Sequence, residues 1–273
     1  MKNIGVSINS SKFIDEKIVN EIIGKISTYN KGANIKTYKD SIDSYEIIDE
    51  KLDVIIVLGG DGTILSAART VAPLGIPILG INMGNLGFLT AAESLEFEEA
   101  LKKLKENKYY IEDRMMLQCE IENNNDRKEY VSLNDIVISK GTLSRIFKYE
   151  IFIDDKFYTS FKADGIIIST PTGSTAYALS AGGPIIYPTI DVIALVPICP
   201  HSMHMRSIIL EGNSKINIVI SKKNESAFLT VDGQDSINLE KYQNVIIKKS
   251  NEKCKLIRIE GYDYFDVLRK KIF

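Results

Sequence analysis

No stretch of this 273-residue chain approaches the ~18 consecutive apolar residues that a helix needs to cross a bilayer. Its start, Met1 to Ile8, lacks the apolar centre of a signal peptide. The chain therefore reads as soluble and cytoplasmic. A basic field is also missing. Lys and Arg total 34 against 36 Asp and Glu, a formal charge of −2, so nothing electrostatic points to nucleic acid. Cysteine is scarce. Cys119, Cys199 and Cys254 are far apart and form no Cys-x-x-Cys pair, which suits a reducing compartment and argues against a disulfide framework or zinc site. Cys199 beside Pro200 and His201 suggests a thiol nucleophile, but a small buried apolar residue is the simpler reading. There is no low-complexity segment, no repeat and no flexible linker. What remains is an ordinary globular composition, 44% hydrophobic and 26% charged, long enough for one large or two medium domains.

Two familiar phosphate signatures are absent as well. The run Val54 to Thr63, VIIVLGGDGT, has no Gly-Lys-Ser/Thr of a Walker A loop and no G-x-G-x-x-G. Its unbroken apolar part reads as a strand buried on both faces. Ile64, Leu65, Ala67, Ala68 and Val71 then keep a helical spacing. The layout is strand, glycine turn, helix. Gly59, Gly60 and Gly62 allow positive φ and close approach of a ligand to the main chain. The N–H groups opening the helix, Thr63 among them, favour an anion such as phosphate. Asp61 repels what such a cradle attracts, and is worth having there if it takes a proton or works through a cation. The plainer alternative makes Asp61 the N-cap of the helix.

Along the chain, Asn3 to Ile8 reads as a strand. Ile18, Val19, Ile22, Ile23 and Ile26 read as one helix face, with Asp15 near its start. Asn34 to Tyr38 is a second strand, and Ser41 to Lys51 a loop or short helix. After the glycine turn and its helix, Pro77 to Ile81 gives a short buried strand. A helix follows from about Ser94, with Phe97, Ala100, Leu101 and Leu104 inward. Alternating strands and helices imply a parallel sheet with right-handed crossovers. Ligands in such sheets bind at the carboxyl ends of strands, where both this turn and a second, Gly80 to Leu89, fall. Alone, that second turn reads as a structural loop packing Leu86, Phe88 and Leu89.

After about Lys108 the pattern changes to short strands: Met116 to Ile121, Tyr130 to Ser139, Phe147 to Ile153, Phe157 to Phe161 and Gly165 to Ser169. Asn123 to Asp126 and Asp154-Asp155 read as hairpin turns. Further strands fall near Arg206 to Leu210, Lys215 to Ser221, Ala227 to Val231, Asn244 to Lys248 and Lys255 to Ile259, before helical spacing at Tyr264, Phe265, Leu268 and Ile272. The expected fold is α/β plus all-β: an N-terminal Rossmann-like parallel α/β domain, residues 1–110, and a mainly antiparallel β domain, residues 111–259. The tail 260–273 packs back on the first domain, and the ligand site lies between the two.

Two polar stretches stand out in this half. Asn134 and Asp135 sit side by side within an apolar strand, as a solvated edge or bulge or as a pair able to bond an adenine edge or ribose hydroxyls. From Lys162 to Pro184 a buried strand ends in Ser169, Thr170, Thr172, Ser174 and Thr175, then a short helix and Gly-Gly-Pro. Hydroxyls and free N–H groups at such a junction can hold a polar ligand, and Tyr177 can stack on a base. A serine-rich capping turn accounts for one or two of these residues.

Taken together, the Gly59 to Gly62 turn, the Gly80 to Leu89 turn, Asn134-Asp135, and the run from Thr170-Pro171-Thr172-Gly173-Ser174-Thr175-Ala176-Tyr177 to Gly182-Gly183-Pro184 resemble the bacterial NAD kinase family, in its order and spacing from about residue 54 to 235. Residues 1–50 agree only in general pattern. The Gly-Gly-Asp-Gly-Thr turn alone is shared with diacylglycerol and sphingosine kinases and, in part, phosphofructokinases; the hydroxyl run is far more specific. The resemblance implies transfer of the γ-phosphoryl of ATP to the 2′-hydroxyl of the adenosine ribose of NAD. Asp61 is then the general base, with Gly59, Gly60, Gly62 and Thr63 against the nucleotide. Asn134 and Asp135 bind polar groups of NAD, and Arg145 sits near the phosphates or the neighbouring nucleotide. Lys162 and Asp164 contact the dinucleotide. Thr172, with Thr175, Ala176, Tyr177, Ala178, Leu179 and Ser180, holds adenine and ribose, and Gln234 is a late ligand residue. Many members carry Arg or Lys five positions after the catalytic Asp, where this chain has Ser66.

The family reading also implies Mg²⁺ or another divalent cation held largely by ATP oxygens, no dedicated metal site, and a homodimer or homotetramer. His201-x-x-His204 lacks a carboxylate or cysteine partner in register and reads as structural. Two alternatives stay open: a lipid kinase of the diacylglycerol or sphingosine type, which shares only the first motif, and a non-catalytic NAD(H) sensor, which has no use for Asp61.

Overall fold

Val54–Leu58 is a strand with every residue buried in the computed structural model, which describes residues 1–9, 16–40, 47, 50–84, 87–123, 126–141, 147–201, 205–220, 227–239 and 244–273. By their contacts these residues form two units, Met1–Asp113 with Lys253–Phe273, and Arg114–Glu252.

In the first unit, strands β1 (Asn3–Ile8), β2 (Asn34–Lys39), β3 (Val54–Leu58) and β4 (Ile78–Asn82) lie in the order β2-β1-β3-β4, all parallel. A two-residue β5 (Ala92–Glu93) and the last strand of the chain, through Leu256 opposite Ile78, also pair with β4 in parallel. Helices α1 (Glu16–Tyr29), α2 (Asp61–Val71) and α3 (Phe97–Lys105) connect them. Val54, Ile56 and Leu58 face a cluster holding Ile22 and Ile26 of α1 and Phe97, Ala100, Leu101 and Leu104 of α3. Their neighbours Ile55 and Val57 point to the other face, where α2 packs on β3 and β4. Burial on both faces is why β3 shows no polar alternation. A terminal helix, Tyr264–Ile272, is capped by Asp263, whose side chain accepts the Phe265 N–H at 2.8 Å.

The second unit is antiparallel. Its strands are β6 (Tyr109–Asn123, beginning in the first unit), β7 (Asp126–Ser132), β8 (Asp135–Lys140), β9 (Phe147–Ile153), β10 (Lys156–Ala163), β11 (Gly165–Ser169), β12 (Val192–Ile198), β13 (Ile208–Glu211), β14 (Ile216–Ile220), β15 (Ala227–Val231), β16 (Asp235–Asn238) and β17 (Asn244–Ile259). One sheet runs β13-β12-β11-β8-β15-β16; β10-β9-β14-β17 and the β6–β7 hairpin face it. Alternate residues of both layers, among them Leu117, Ile136, Ile138, Tyr149, Ile151, Ile166, Ile168, Ile216 and Leu229, meet in one core. Val137, Ile167, Ala194 and Val196 face outward and are covered by Ala178 and Ile186. The α/β plus antiparallel-β class expected from the patterning is the class observed.

Several local expectations are corrected. Tyr130 to Ser139 is two strands, broken at Leu133 and Asn134, because the chain leaves one sheet there for the other. Asn134 therefore sits in a bend, and only Asp135 belongs to a strand. Asn244 to Lys248 and Lys255 to Ile259 are one strand, β17, and β6 begins at Tyr109 rather than Met116. Charged residues in both stretches hide the pattern. Strand β12 was not expected, because Pro197 interrupts it. Its pairing with β13 ends at Leu195, so Pro197 loses no ladder bond on that side. The readings of Asp15 and Leu86 fall outside the described residues, as does most of Ser41 to Lys51.

Candidate functional site

The chain turns from β3 into α2 at Gly59 and Gly60. Gly60 is extended, φ −100 and ψ −171, and the helix begins at Asp61. Positive φ was one expected reason for these glycines, yet the glycines with positive φ among the described residues are Gly32, Gly75, Gly182, Gly233 and Gly261. At Gly59 the close approach is that of the chain's own Thr63 side chain. A Cβ on Gly59 would come 2.4 Å from Thr63 Oγ1. Asp61 does not cap its helix: Gly60 is the N-cap, and no side chain bonds there. The carboxylate is drawn away to the second glycine turn, where Oδ2 accepts the Phe88 N–H at 2.9 Å and Oδ1 the Leu89 N–H at 3.0 Å. Gly87 makes room, since a Cβ there would lie 2.1 Å from Asp61 Oδ1. The second turn is thus more than apolar packing: it holds a half-buried carboxylate at a helix N-terminus. Ser66 lies half-buried further along α2. Thr63 Oγ1 and Asn82 Nδ2 are buried here without a hydrogen-bond partner.

In the second unit Asp232 organises the bend between β7 and β8. Its Oδ1 accepts Ser132 Oγ–H at 2.7 Å and the N–H groups of Asn134 at 2.7 Å and Asp135 at 3.2 Å, and its Oδ2 accepts the Leu133 N–H at 3.1 Å. Peptide donors that a ladder would otherwise use are satisfied by one carboxylate. The hydroxyl turn packs on the same bend. Thr170 Oγ1 donates to the Leu133 carbonyl at 2.6 Å, the Thr170 N–H to that of Asn134 at 2.9 Å, and a Cβ on Gly173 would come 2.3 Å from the Asn134 oxygen. Ser169 and Ser174 also spend their hydroxyls internally, Ser174 on Pro171 and Ile186. Thr172 Oγ1 accepts from Arg114 Nη1 at 3.1 Å, and Thr175 Oγ1 donates to the Thr172 carbonyl at 3.4 Å. Internal bonding thus uses more of this run than one or two capping hydroxyls. The exposed part of the junction is the short helix Tyr177–Ser180, where the Tyr177 ring is open to solvent and Ala178 is buried. Ala176 and Leu179 are half-buried, and Ser180 is exposed.

Asn134, Asp135, Thr172 and the Asp232 turn, which also carries Gln234, therefore come together. Lys162 and Asp164 lie at the opposite end of β11, roughly 15–20 Å away along the strand. There Asp164 pairs with Lys140 at 2.7 Å. Arg145 and His204 fall outside the described residues. Cys199, expected to be buried, is exposed in a bend with φ 45. Cys119 and Cys254 are buried, and burial pushes the Cys119 thiol up to about 12. Reading the sequence missed Asp232, Arg114 and Arg258. Asp232-Gly233 is a turn signal, but nothing local says which amides its carboxylate will meet.

Burial pushes the Asp135 carboxyl up to about 7, and the charge of Asp232 adds to this. Burial also raises Asp232, against which Ser132 and three amides pull it down. We assign the negative charge to Asp232, with its four donors, and the proton to Asp135. Between the ordinary value of 3.8 and about 7, native Asp135 keeps a proton that the unfolded chain has released. That stabilisation is complete below the unfolded value and is lost as pH rises through the folded one. Asp135→Asn should remove this slope. Relative to the variant, the wild type should lose about 2–3 kcal/mol between pH 5 and pH 8, measured by urea unfolding. Parallel pH profiles would refute the assignment.

Comparison with known proteins adds a second line. The family model described as the ATP-NAD kinase N-terminal domain matches residues 5–109, and that of the ATP-NAD kinase C-terminal domain matches residues 133–259. The chain is 50% identical to an NAD kinase of Clostridium botulinum, over 100% of this chain and 96% of that one. It is 47% identical to an NAD kinase of Clostridium tetani over the full length of both. Among solved structures, an Archaeoglobus fulgidus NAD kinase in complex with ATP superposes with a TM-score of 0.78 at 26% identity, covering 98% of each chain. A yeast NADH kinase complexed with NADH shares the fold, with a TM-score of 0.85 at 24% identity over 100% of this chain and 87% of that one.

Proposed function

Because the chain belongs to the ATP-NAD kinase family, we infer that it phosphorylates NAD, taking the γ-phosphoryl of ATP to the 2′-hydroxyl of the adenosine ribose. The carboxylate of Asp61, fixed at the start of α2 by the N–H groups of Phe88 and Leu89, is the observation that carries this reading. Each carboxylate oxygen accepts one of these bonds and keeps acceptor capacity for a substrate hydroxyl. In the step proposed, the ribose hydroxyl gives its proton to Asp61, its oxygen bonds to the γ-phosphorus, and the bond from that phosphorus to the bridging oxygen breaks, releasing ADP. In a loose transition state the proton moves late, so orienting the hydroxyl is much of the work of Asp61.

Gly59, Gly60, Gly62 and Thr63 lie on the phosphate side of this assignment. Asn134, Asp135, Thr172, the Thr175 to Ser180 segment and Gln234 hold the dinucleotide, with Arg145, Lys162 and Asp164 as further contacts. The accessible Tyr177 ring suits stacking on a base. A divalent cation such as Mg²⁺ would offset the charge of ATP beside Asp61. Asp61 offers one carboxylate whose oxygens are partly used, a donor set that fits an ion arriving on the nucleotide. The family resemblance further supports a homodimer or homotetramer, to be measured by light scattering, and a cytoplasmic protein; among the described residues no helix is long and apolar enough to cross a membrane.

Purified protein given ATP, Mg²⁺ and NAD should form NADP stoichiometrically with ADP. A sensor would bind NAD and form none. A lipid kinase would phosphorylate sphingosine or diacylglycerol instead.

A further inference from the structure

Arg258 is fully buried. A guanidinium at that depth is tolerated only when its charge is paired and its donors are used. Nε donates to Glu112 Oε1 at 2.9 Å, which supplies the counter-charge. The Tyr262 ring lies 4.1 Å from the guanidinium carbon. The other donors go to one place. Nη1 donates to the carbonyls of Leu89 at 3.1 Å and Thr90 at 3.0 Å, and Nη2 to that of Phe88 at 3.2 Å. These three carbonyls belong to the turn whose Phe88 and Leu89 N–H groups hold Asp61.

The Phe88 carbonyl and the Leu89 N–H are two ends of a single peptide unit. Its oxygen faces Arg258 and its N–H faces Asp61. A guanidinium on one side of a peptide polarises it and strengthens the bond on the other. A planar fork also fixes the angles of the carbonyls it grips, which a single ammonium cannot do.

We propose that Arg258 is a positioning residue for phosphoryl transfer: it clamps the turn at residues 88–90 and, through the peptide joining Phe88 to Leu89, sets the orientation of the Asp61 carboxylate without touching either nucleotide. The inference rests on the reading of Asp61 as the base.

In Arg258→Lys the charge stays beside Glu112, but the turn keeps at most part of its grip. Displacements of this kind, near 1 Å at the reacting group, cost up to about 10²-fold. The expected result is a kcat roughly 10–100-fold lower, with KM for NAD and for ATP within about threefold. Leu101→Ala is the control. It opens a fully buried site on α3 in the core of the same unit, makes no hydrogen bond to Asp61 or Arg258, and should lower the melting temperature while leaving kcat within about threefold. Where Arg258→Lys does not fold, Tyr262→Leu removes the ring against the guanidinium, and kcat should fall several-fold at unchanged KM. Unchanged kcat in a folded variant overturns the proposal. So does a loss matched by Leu101→Ala at equal destabilisation, or a change confined to KM. Turnover retained in Asp61→Asn would instead overturn the reading of Asp61, and the two failures are separate measurements.

Discussion

Asp61→Asn should lose turnover by roughly 10³-fold or more and still bind NAD with an affinity close to that of the wild type. NADP formation reads the first quantity and calorimetric titration of NAD the second. The substitution removes the proposed proton acceptor at the reacting hydroxyl. It also turns one acceptor into an amide NH₂ facing the N–H of Phe88 or Leu89, both of which now donate to the carboxylate. One of those bonds is lost, at a cost of about 1–3 kcal/mol, so the thermal midpoint should fall as well. The groups proposed to hold the dinucleotide around Asn134 and Thr172 belong to a separate contact unit, which is why binding should survive. Turnover within tenfold of the wild type would remove Asp61 from the chemistry.

Gly87→Ala should approach that loss with no change in any ionisable group. Its Cβ would stand 2.1 Å from Asp61 Oδ1 and 2.8 Å from Cγ, far inside contact distance. The side chain of Asp61 is short and tied to two amides, so relief means moving either the carboxylate or the turn. A shift near 1 Å at a reacting group costs about 10²-fold, and kcat should fall by that order with KM for NAD little changed. A variant with wild-type kcat and an intact fold would show that the close packing of Gly87 on Asp61 is incidental to catalysis.

The part of the site that lies along one strand and its following turn was legible in the sequence. Val54 to Leu58 and Ile166 to Ile168 are apolar without interruption, and each run is followed by a turn whose composition has few structural uses. The order of the later motifs then separated a dinucleotide kinase from other owners of the glycine turn. What could not be read is held by residues far apart in the chain. Glu112 and Arg258, 146 positions apart, each break the apolar pattern of the strand they occupy, so both read as solvated. Asp232 and Asn134 are 98 apart, and no periodicity links them. Asn134 and Asp135 stand out in the sequence as unusual, but the bend that separates β7 from β8 there is explained only by the change of sheet. Inside the hydroxyl run, Ser169, Thr170, Thr172, Ser174 and Thr175 all bond within the fold, and composition alone does not show which partners they take.

The first unit is assembled from two separated stretches, Met1–Asp113 and Lys253–Phe273, and this bears on how the protein is born. A ribosome adds about 5–20 residues per second, and 169 positions separate Leu89 from Arg258. The nascent glycine turn therefore waits roughly 10–30 s for its clamp, and β4 waits as long for Leu256. Throughout that interval the emerging polypeptide carries Asp61 without the anchor that aims it. A message cut short before codon 258 would yield a chain with Asp61, Asn134 and Thr172 all present and its carboxylate unaimed. On the proposed role of Arg258, such a product would hold the residues of the first unit's candidate site without the clamp that orients them.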